Sequence, residues 1–278
     1  MTAYGNLAGI ELGDGLPVRL MGVINVSPES FYAGSVPETE DDLRRRAEAM
    51  AAEGADLLDV GARSTAPYRQ TDITDEEESR RLGAAIRVIR AAVSLPISAD
   101  TSRARVALTA LDAGAQIIND VTGFRLDPNL GDLVAKRAEG VILMASPTGA
   151  TPADPLGTVR GLLEESLKAT WKAGIPPHRA VVDPGIGFFR GGDISWAAWD
   201  CEVLRRLGEL RDLDRPIAIG VSRKSFVGKL LGKTDPADRL IGSLAATVAA
   251  VLNGVHLVRT HDIGPTREAI KVAEALRL

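Results

Sequence analysis

The sequence predicts an α/β protein of the (β/α)8 class, in which eight parallel strands alternate with helices and close into a TIM barrel. Three observations predict it. The chain has 278 residues, close to the roughly 250 residues that such barrels need. Short β-like runs alternate with longer segments of helical period. Most of these runs end in a polar residue, as expected where the carboxyl ends of barrel strands line one cavity.

Eight strands are predicted from short runs that are nearly continuous in apolar residues. They cover residues 18–26, 56–61, 96–100, 117–121, 141–145, 180–184, 216–221 and 255–260. Strands separated by helices run parallel, and parallel sheets are buried on both faces, which accounts for such runs. A doubly wound open sheet is the alternative. However, the first strand continues into Asn25-Val26-Ser27-Pro28 rather than into a glycine-rich phosphate turn.

Helices are predicted where apolar residues recur every three or four positions, at 40–53, 76–93, 103–113, 159–173 and 200–212. Glycines that follow helices are expected to be left-handed C-caps, and they are Gly54, Gly114, Gly140, Gly174 and Gly254. Long aperiodic segments follow four strands, at 28–39, 63–74, 146–158 and 188–197. Loops of this length are often functional, so we place them on the catalytic rim of one domain spanning residues 1–278.

Composition restricts the partners of the chain. The formal net charge of -4 argues against a nucleic-acid-binding protein. The single cysteine, Cys201, excludes an internal disulfide framework and indicates a reducing compartment. Because the sequence has neither an apolar run of membrane-spanning length nor a signal-peptide pattern at its start, we expect a cytoplasmic protein without a membrane partner.

Polar residues at the strand ends are the strongest functional signal. They are Asn25, Asp59, Asp100, Asn119 with Asp120, Asp183, Ser222-Arg223-Lys224, and Arg259 with His261 and Asp262. Burying an unpaired charge costs several kcal/mol, about the worth of a few hydrogen bonds, so these groups must face one another or a ligand. Taken singly, an aspartate after a strand is more often a helix N-cap or a loop tie. A structural role therefore stays open for Asp59, Asp120 and Asp262.

The predicted cavity has two chemical characters. Asp100, Asn119 and Asp183 form an acceptor-rich patch suited to a flat heterocycle that carries amino and ring N–H donors. Lys224, Arg259 and His261 form a cationic patch from the last two strands, where barrels commonly hold phosphate. Asn25 and Ser27 could bind a divalent metal or a phosphate oxygen, and their residue types do not decide between these ligands.

Six strings in the sequence resemble signatures of the pterin-binding family, in particular of its dihydropteroate synthases. They lie at 21–31, 97–101, 118–121, 183–188, 222–226 and 259–262, in order from about residue 20 towards the C-terminus. The resemblance implies a barrel that joins 6-hydroxymethyl-7,8-dihydropterin diphosphate to p-aminobenzoate and releases diphosphate, a transferase step of folate biosynthesis. It also implies a homodimer.

The resemblance further implies roles for residues of the mouth. Asp100, Asn119, Asp183 and Lys224 would hold the pterin ring, with Met144 also in the substrate-binding set. Asn25, Arg259 and His261 would hold the diphosphate together with Mg²⁺, for which Asn25 is the metal ligand. Ser222 and Lys224 would border the arylamine, with Phe188 or Phe189 packing on it. The chemical step is assigned to Asp100, Asp183, Lys224 and Arg259.

The long loops depart from the family pattern. The family usually has Gly-Glu-Ser-Thr-Arg-Pro after the second strand, whereas this chain has Gly61-Ala62-Arg63-Ser64-Thr65-Ala66-Pro67. Arg63 stands where a glutamate is usual, and Ala66 replaces the arginine. Arg63 and Thr65 are therefore predicted to bind substrate, with Arg63 or Arg69 supplying the lost charge.

Three alternatives stay open, and the first of them follows from these departures. The first is a synthase for a different arylamine, such as the ribosylated aminobenzene of methanopterin synthesis. The second is a methyltransferase that uses methyltetrahydrofolate, although that chemistry has no diphosphate for the cationic patch to bind. The third is a pterin-binding protein without catalytic activity.

Overall fold

The computed structural model describes residues 2–27, 36–64, 73–149, 153–192 and 194–277. Within these ranges, strands β1 (Tyr4–Leu7) and β2 (Ile10–Gly13) form an antiparallel hairpin. The barrel strands follow as β3 (Arg19–Asn25), β4 (Leu57–Gly61), β5 (Ile97–Asp100), β6 (Ile117–Asp120), β7 (Gly140–Met144), β8 (Ala180–Asp183), β9 (Ala218–Gly220) and β10 (Leu257–Thr260). Each overlaps a predicted run, so the (β/α)8 prediction is confirmed.

Barrel closure follows from the order of the sheet. Parallel pairing runs continuously through β8-β7-β6-β5-β4-β3-β10-β9. The two end strands, β8 and β9, meet through a parallel bridge between Val182 and Ile217. There the Val182 amide donates to the Pro216 carbonyl over 3.0 Å. Pairing of β10 with β3 brings residues of β10, β4 and β5 to one mouth although they are distant in sequence.

Helices alternate with the barrel strands. They are α1 (Glu40–Glu53), α2 (Asp75–Ala92), α3 (Ala104–Asp112), α4 (Leu130–Arg137), α5 (Pro155–Lys172), α6 (Trp196–Arg205), α7 (Ser225–Leu231), α8 (Leu240–Leu252) and α9 (Ile263–Leu276). All five predicted helices are confirmed; the last is α6 followed by a 3₁₀ turn at Leu207–Leu213. In the described ranges, no helix has the length and apolar content that crossing a membrane requires.

Helix α8 shows why some helices were not predicted. It buries Ser243 and Thr247, whose hydroxyls donate to backbone carbonyls four residues earlier. It exposes Ile241, of which 76% is accessible. Its inward face is therefore more polar than its outward face, and a search for an apolar stripe misses it. Helices α4 and α7 are too short for a clear period, with eight and seven residues.

Four of the five predicted glycine caps are confirmed. Gly54, Gly114, Gly174 and Gly254 all have positive φ angles, between 77° and 111°. The prediction for Gly140 is wrong, because Gly140 is the first residue of β7. A Cβ atom there would lie 2.4 Å from Leu7 Cδ2, so the missing side chain makes room for the hairpin.

The N-terminal hairpin closes one end of the barrel. Leu7 and Leu12 are fully buried and pack with the first residues of several strands, including Met21, Leu57 and Ile117. This apolar cluster is separate from the larger core between the strands and the helices. Because it fills the amino-terminal end of the barrel, substrate access is left to the carboxyl-terminal mouth.

Gly140→Ala tests how closely the hairpin fits. The added methyl group would also lie 3.3 Å from Leu7 Cα, so the backbone must move. We expect urea denaturation to show a free energy of unfolding lower by about 1–3 kcal/mol, the usual effect of overpacking a core.

Gly161→Ala in helix α5 is the matched control, because a Cβ atom there meets nothing within 4 Å. Its free energy of unfolding should rise by about 0.5–1 kcal/mol. In a double-mutant cycle, the loss for Gly140→Ala combined with Leu7→Ala should be smaller than the sum of the two separate losses, because Leu7→Ala removes the side chain that the new methyl group would meet. Equal effects of the two glycine substitutions would contradict the close fit.

Candidate active site

The mouth of the barrel begins with a row of residues on four neighbouring strands. Register pairs Asn25 with Gly61, Gly61 with Asp100, and Asp100 with Asn119. A Cβ atom at Gly61 would lie 3.5 Å from Asn25 Oδ1 and 3.6 Å from Asp100 Oδ2. Gly61 therefore leaves room between two predicted binding residues, whose oxygen atoms face the same gap.

A buried ion-pair network lies at this row. Arg259 Nη2 is 2.6 Å from Asp59 Oδ2 and 3.0 Å from Asp100 Oδ2. The same Asp59 oxygen accepts hydrogen bonds from Arg259 Nε at 2.7 Å and from Asn119 Nδ2 at 3.1 Å. Asp59 has no exposed surface, and Asp100 is 7% exposed. Asp59 thus links Asn119 to Arg259. This role involves two other strands and is wider than the stabilisation of one neighbouring loop.

Asp100 has an unusual electrostatic environment. Burial, together with the neighbouring charge of Asp59, raises the pKa of Asp100 to about 7. Its Oδ1 atom is buried and has no hydrogen-bond partner among the described residues. A carboxyl group that titrates near neutral pH and keeps one oxygen available is suited to accept a hydrogen bond from a ligand N–H group.

Asp183 and Lys224 form the second charged group of the mouth. Burial raises the pKa of Asp183, whereas the Lys224 charge opposes that rise. Burial lowers the pKa of Lys224 to about 8, so it is still mostly protonated at pH 7. The Lys224 ammonium donates to the Ile186 carbonyl and lies 4.9 Å from the centre of the Phe188 ring.

The two phenylalanines after β8 have different environments. Phe189 is 2% exposed and stacks on buried Trp199, with 4.9 Å between ring centres. Phe188 is half-buried beside Lys224. Of the two candidates for packing on the arylamine, the structure thus places Phe188 at the mouth. Met144 is buried and pairs in register with Asp183, below the same part of the mouth.

His261 differs from the predicted cationic residue. Burial, reinforced by the positive charges of Arg259 and other nearby cations, lowers the pKa of His261 to about 3. The ring is therefore neutral at pH 7, and its Nδ1 atom lies 3.0 Å from Ser222 Oγ. The cationic patch consists of Lys224 and Arg259, while His261 offers a neutral hydrogen-bonding group.

Three polar residues near strand ends, Asp120, Arg223 and Asp262, are bound by backbone amides or by each other. Asp120 accepts hydrogen bonds from the amides of Thr122 and Phe124, which ties the turn after β6. Asp262 forms a two-pronged ion pair with Arg223, with distances of 2.7 and 2.9 Å. Asp120 thus ties a loop, the structural role left open for it, whereas Asp262 stands at the N-cap position of α9 without a side-chain cap hydrogen bond and pairs with Arg223 instead.

Arg63 lies beside the mouth, directly after β4. Its Nε atom is 3.5 Å from Oε2 of Glu78, a carboxylate on α2 that also accepts from Thr101 Oγ1 at 2.8 Å. The Arg63 charge acts to lower the pKa of Asp100, so the guanidinium is within electrostatic reach of the site. Thr65, Ala66 and Arg69 lie outside the described residues, and their predicted roles stay predictions.

Asp200 is a site residue for which the sequence pattern assigns no role in the mouth, whereas Arg190 stands where the family pattern has a lysine and is a candidate to replace it. Arg190 donates from Nε to the Gly187 carbonyl over 3.0 Å and stacks on Trp196, 4.1 Å from the ring centre. Asp200 is fully buried and accepts from the Gly187 amide over 2.8 Å. One signal could have identified Asp200, because it lies three positions after Ala197 and three before Val203 on the buried face of α6.

The part of the chain that the structure describes holds no cluster of three or more His, Cys, Asp or Glu residues placed to bind a metal ion. Mg²⁺ commonly keeps several waters and uses one or two protein oxygens together with substrate phosphates. The side-chain oxygen of Asn25, which faces the gap at Gly61, fits such a site.

Comparison with known proteins gives one consistent result. The chain matches the model of the pterin binding enzyme family over residues 21–261. It is 36% identical over 273 residues to the dihydropteroate synthase of Mycobacterium leprae, with 93% of each chain covered. It also resembles the Coxiella burnetii dihydropteroate synthase in complex with pteroic acid, at 35% identity and a TM-score of 0.87. It resembles the Xanthomonas albilineans dihydropteroate synthase with 4-aminobenzoic acid at 37% sequence identity and a TM-score of 0.87. Both superpositions cover 99% of this chain and 98% of the other.

Arg259→Met tests the ion-pair network. The substitution leaves two buried carboxylates without their cation, so we expect the free energy of unfolding at pH 8 to fall by about 3–5 kcal/mol. The pKa of Asp100 already lies above its unfolded value, so its effect on stability becomes less favourable as pH rises from about 4 through 7. Without Arg259 this pKa rises further, and the loss should be smaller at pH 5 than at pH 8.

Urea denaturation at both pH values measures the effect. Arg44→Met is the control, because Arg44 pairs with Asp41 on the exposed face of α1. Its effect should stay within about 0.5 kcal/mol. A loss for Arg259→Met that is the same at pH 5 and pH 8 would show that Arg259 contributes packing and not charge.

Proposed function

The chain belongs to the pterin-binding enzyme family, and we infer that it catalyses the dihydropteroate synthase reaction, joining 6-hydroxymethyl-7,8-dihydropterin diphosphate to p-aminobenzoate. The observation that carries this inference is one mouth in which acceptor atoms and cations lie side by side. Asp100 and Asn119 lie in one row across two strands, and Lys224 lies over the turn that follows Asp183. The named relatives and the solved complexes support the same reaction.

The acceptor half of the site suits the pterin ring. The buried Asp100 Oδ1 atom, which has no partner among the described residues, is the acceptor we assign to a ring or amino N–H group. Asp183 accepts the Gly185 amide through Oδ1 at 2.7 Å, and we assign its other oxygen to the same ring. A ring with several N–H donors would thereby donate hydrogen bonds to carboxylate oxygens that are buried away from water.

The cations suit the bond that breaks. As the C–O bond between the pterin methylene and the diphosphate lengthens, negative charge grows on the departing oxygen and positive charge spreads into the ring. Lys224 and Arg259 stabilise the negative charge on the departing oxygen, and the carboxylates of Asp100 and Asp183 stabilise the positive charge in the ring. The arylamine nitrogen then forms the new C–N bond and loses its proton to solvent, so no strong general base is required.

The second substrate is assigned to the space beside the turn after β8. Phe188, Ser222 and Lys224 border the space, and Arg190 lies next to it through its bonds to Gly187 and Ser225. A guanidinium here would attract the carboxylate of an aminobenzoate. This arrangement supports p-aminobenzoate over an arylamine without an acidic group.

Mg²⁺ is part of the proposal. The Asn25 oxygen would hold the ion beside the diphosphate, and a bound ion would neutralise charge on the leaving oxygens. The neutral ring of His261 and the cation of Arg259 would bind the remaining diphosphate oxygens. The proposal therefore predicts that Mg²⁺ strengthens binding of the pterin diphosphate and leaves binding of the pterin alcohol unchanged.

A homodimer is supported by the outer surface of the last helices. Of ten exposed large apolar side chains among the described residues, six lie on α7, α8 and α9, namely Leu230, Leu231, Ile241, Leu252, Val272 and Leu276. Adjacent apolar side chains at this density are typical of a protein interface. The net charge of -4 and the single cysteine further support a cytoplasmic enzyme with small-molecule substrates.

A steady-state assay tests the function. Purified protein is incubated with pterin diphosphate, p-aminobenzoate and Mg²⁺, and dihydropteroate and diphosphate are measured separately. We expect one diphosphate released for each dihydropteroate formed. Binding of both substrates without turnover would indicate a pterin-binding protein without catalytic activity. Turnover only with a larger arylamine would indicate a different second substrate.

Asp183→Asn tests the pterin half. Replacing the carboxylate by an amide removes a charge-assisted hydrogen bond. The free energy of binding of the pterin diphosphate should therefore become less favourable by about 1.5–3 kcal/mol. Calorimetry measures this directly, with p-aminobenzoate binding as a second titration. Asp120→Asn, a change of equal charge in the turn after β6, is the control. An unchanged pterin affinity would remove Asp183 from the site.

Ile241→Lys tests the dimer. Sedimentation equilibrium should show a wild-type dimer and a variant displaced towards monomer, because a charge would be buried in the apolar interface. Leu126→Lys is the control, since Leu126 is also exposed, at 53%, and lies in the turn before α4. A wild-type monomer, or equal behaviour of both variants, would contradict the assigned surface.

A further inference from the structure

The turn after β8 carries the groups that face the second substrate, and the proposed reaction leaves the residue beneath it without a role. Lys224 donates to the Ile186 carbonyl, and Arg190 donates to the Gly187 carbonyl over 3.0 Å. Gly187 has a φ angle of 86°, and a Cβ atom there would lie 3.0 Å from Lys224 Cδ. Both cations therefore depend on the position of this one turn.

Asp200 holds the turn from inside the protein. Its Oδ1 atom accepts the Gly187 amide over 2.8 Å, so the peptide groups around Gly187 bind Asp200 on one atom and Arg190 on another. The Asp200 side chain has no exposed surface, and its Oδ2 atom has no hydrogen-bond partner among the described residues. A neutral amide could accept the same hydrogen bond, so a buried carboxylate at this position needs a further reason.

The reason lies in the charges around it. Asp200 is faced by Lys224 from the start of α7 and by Arg190 from the loop after β8. Lys224 in turn is faced by Asp183 and Asp200, which favour its charged form, and by Arg259 and Arg190, which oppose it. Asp200 thus supplies negative charge close to Lys224 and Arg190, and this charge opposes the burial that lowers the pKa of Lys224.

We propose that Asp200 is a positioning residue for the second-substrate site: its buried carboxylate holds the turn that carries Lys224 and Arg190 and supplies negative charge to both cations. The proposal rests on the proposed function for its catalytic consequence. It goes beyond the pterin and diphosphate contacts because Asp200 touches neither substrate. In physical terms, the negative charge of Asp200 on one side of the turn at Gly187 stabilises the positive charge of Lys224 on the other side.

The test compares Asp200→Asn with the wild type. The amide keeps an acceptor for the Gly187 amide and removes the charge, so a purely structural role would be preserved. The probe is acetic anhydride at graded pH, and mass spectrometry of the Lys224 peptide gives the titration midpoint of the amine without any substrate. From the wild-type pKa of about 8, we expect the variant midpoint to fall by about one pH unit.

Activity gives a second readout. With a midpoint lowered by about one unit, kcat/KM for the arylamine should fall roughly eightfold at pH 8.5 and little at pH 6. The difference should close near pH 6, because Lys224 is almost fully protonated in both proteins there; in addition, burial raises the pKa of Asp200 to about 6, so the wild-type carboxyl is then half protonated. Asp132→Asn on the exposed face of α4 removes the same charge and should change neither readout.

Each outcome decides the proposal. A Lys224 midpoint in Asp200→Asn equal to that of the wild type would overturn it. If Asp200→Asn does not fold, carboxyl NMR of the wild type and of Lys224→Met replaces it. Coupling is reciprocal, so the midpoint of Asp200 must rise in Lys224→Met, and no rise would equally overturn the proposal. Absence of turnover by the wild type would refute the proposed function alone, since neither titration uses substrate.

Discussion

The guanidinium of Arg259 keeps two buried carboxylates together at the mouth of the barrel. It lies within 3.0 Å of both Asp59 and Asp100, and without it the two like charges would face each other in a region with little water. Asn119 joins the same network through Asp59. Because the three charged residues come from β10, β4 and β5, the network exists only when the last strand pairs with β3. The surface that we assign to the pterin ring therefore depends on that pairing.

Charge balance explains why the mouth can serve both ends of a pterin diphosphate. Four carboxylates, those of Asp59, Asp100, Asp183 and Asp200, are buried or partly buried around it. Arg259 and Lys224 lie among them, and Arg63 and Arg190 lie at the rim. The interior therefore has an excess of acceptors, which suits N–H donors of a ring, while the cations stand where an anionic group would leave. Burial moves the pKa of Asp100 to about 7 and that of Lys224 to about 8, so the charges respond to pH near neutrality.

The two halves of the site differ in how they are held. The pterin half is built on strand residues whose neighbours are fixed by register, as in the row from Asn25 to Asn119. The second half lies on turns and relies on side chains for support. Arg63 is held beside Glu78, and Arg190 lies on Trp196 and the Gly187 carbonyl. This chain departs from the family pattern at both arginines, and both departures place a guanidinium at the rim.

The sequence by itself determined the barrel, the order of its strands and the residues at their carboxyl ends, because alternation, apolar runs and polar strand ends are local patterns. Through the family resemblance it also predicted that Asp100, Asn119, Asp183, Lys224 and Arg259 bind substrate. Only the tertiary structure decided how charges are shared among them. Partners distant in sequence make Asp59 a hub, His261 neutral and Asp200 a buried neighbour of Lys224. Likewise, the local pattern predicts a helix cap at Gly140, whereas the structure shows a strand residue packed against the N-terminal hairpin. A pattern records what each residue is, whereas a pKa or a close approach depends on which groups the fold brings within a few ångströms.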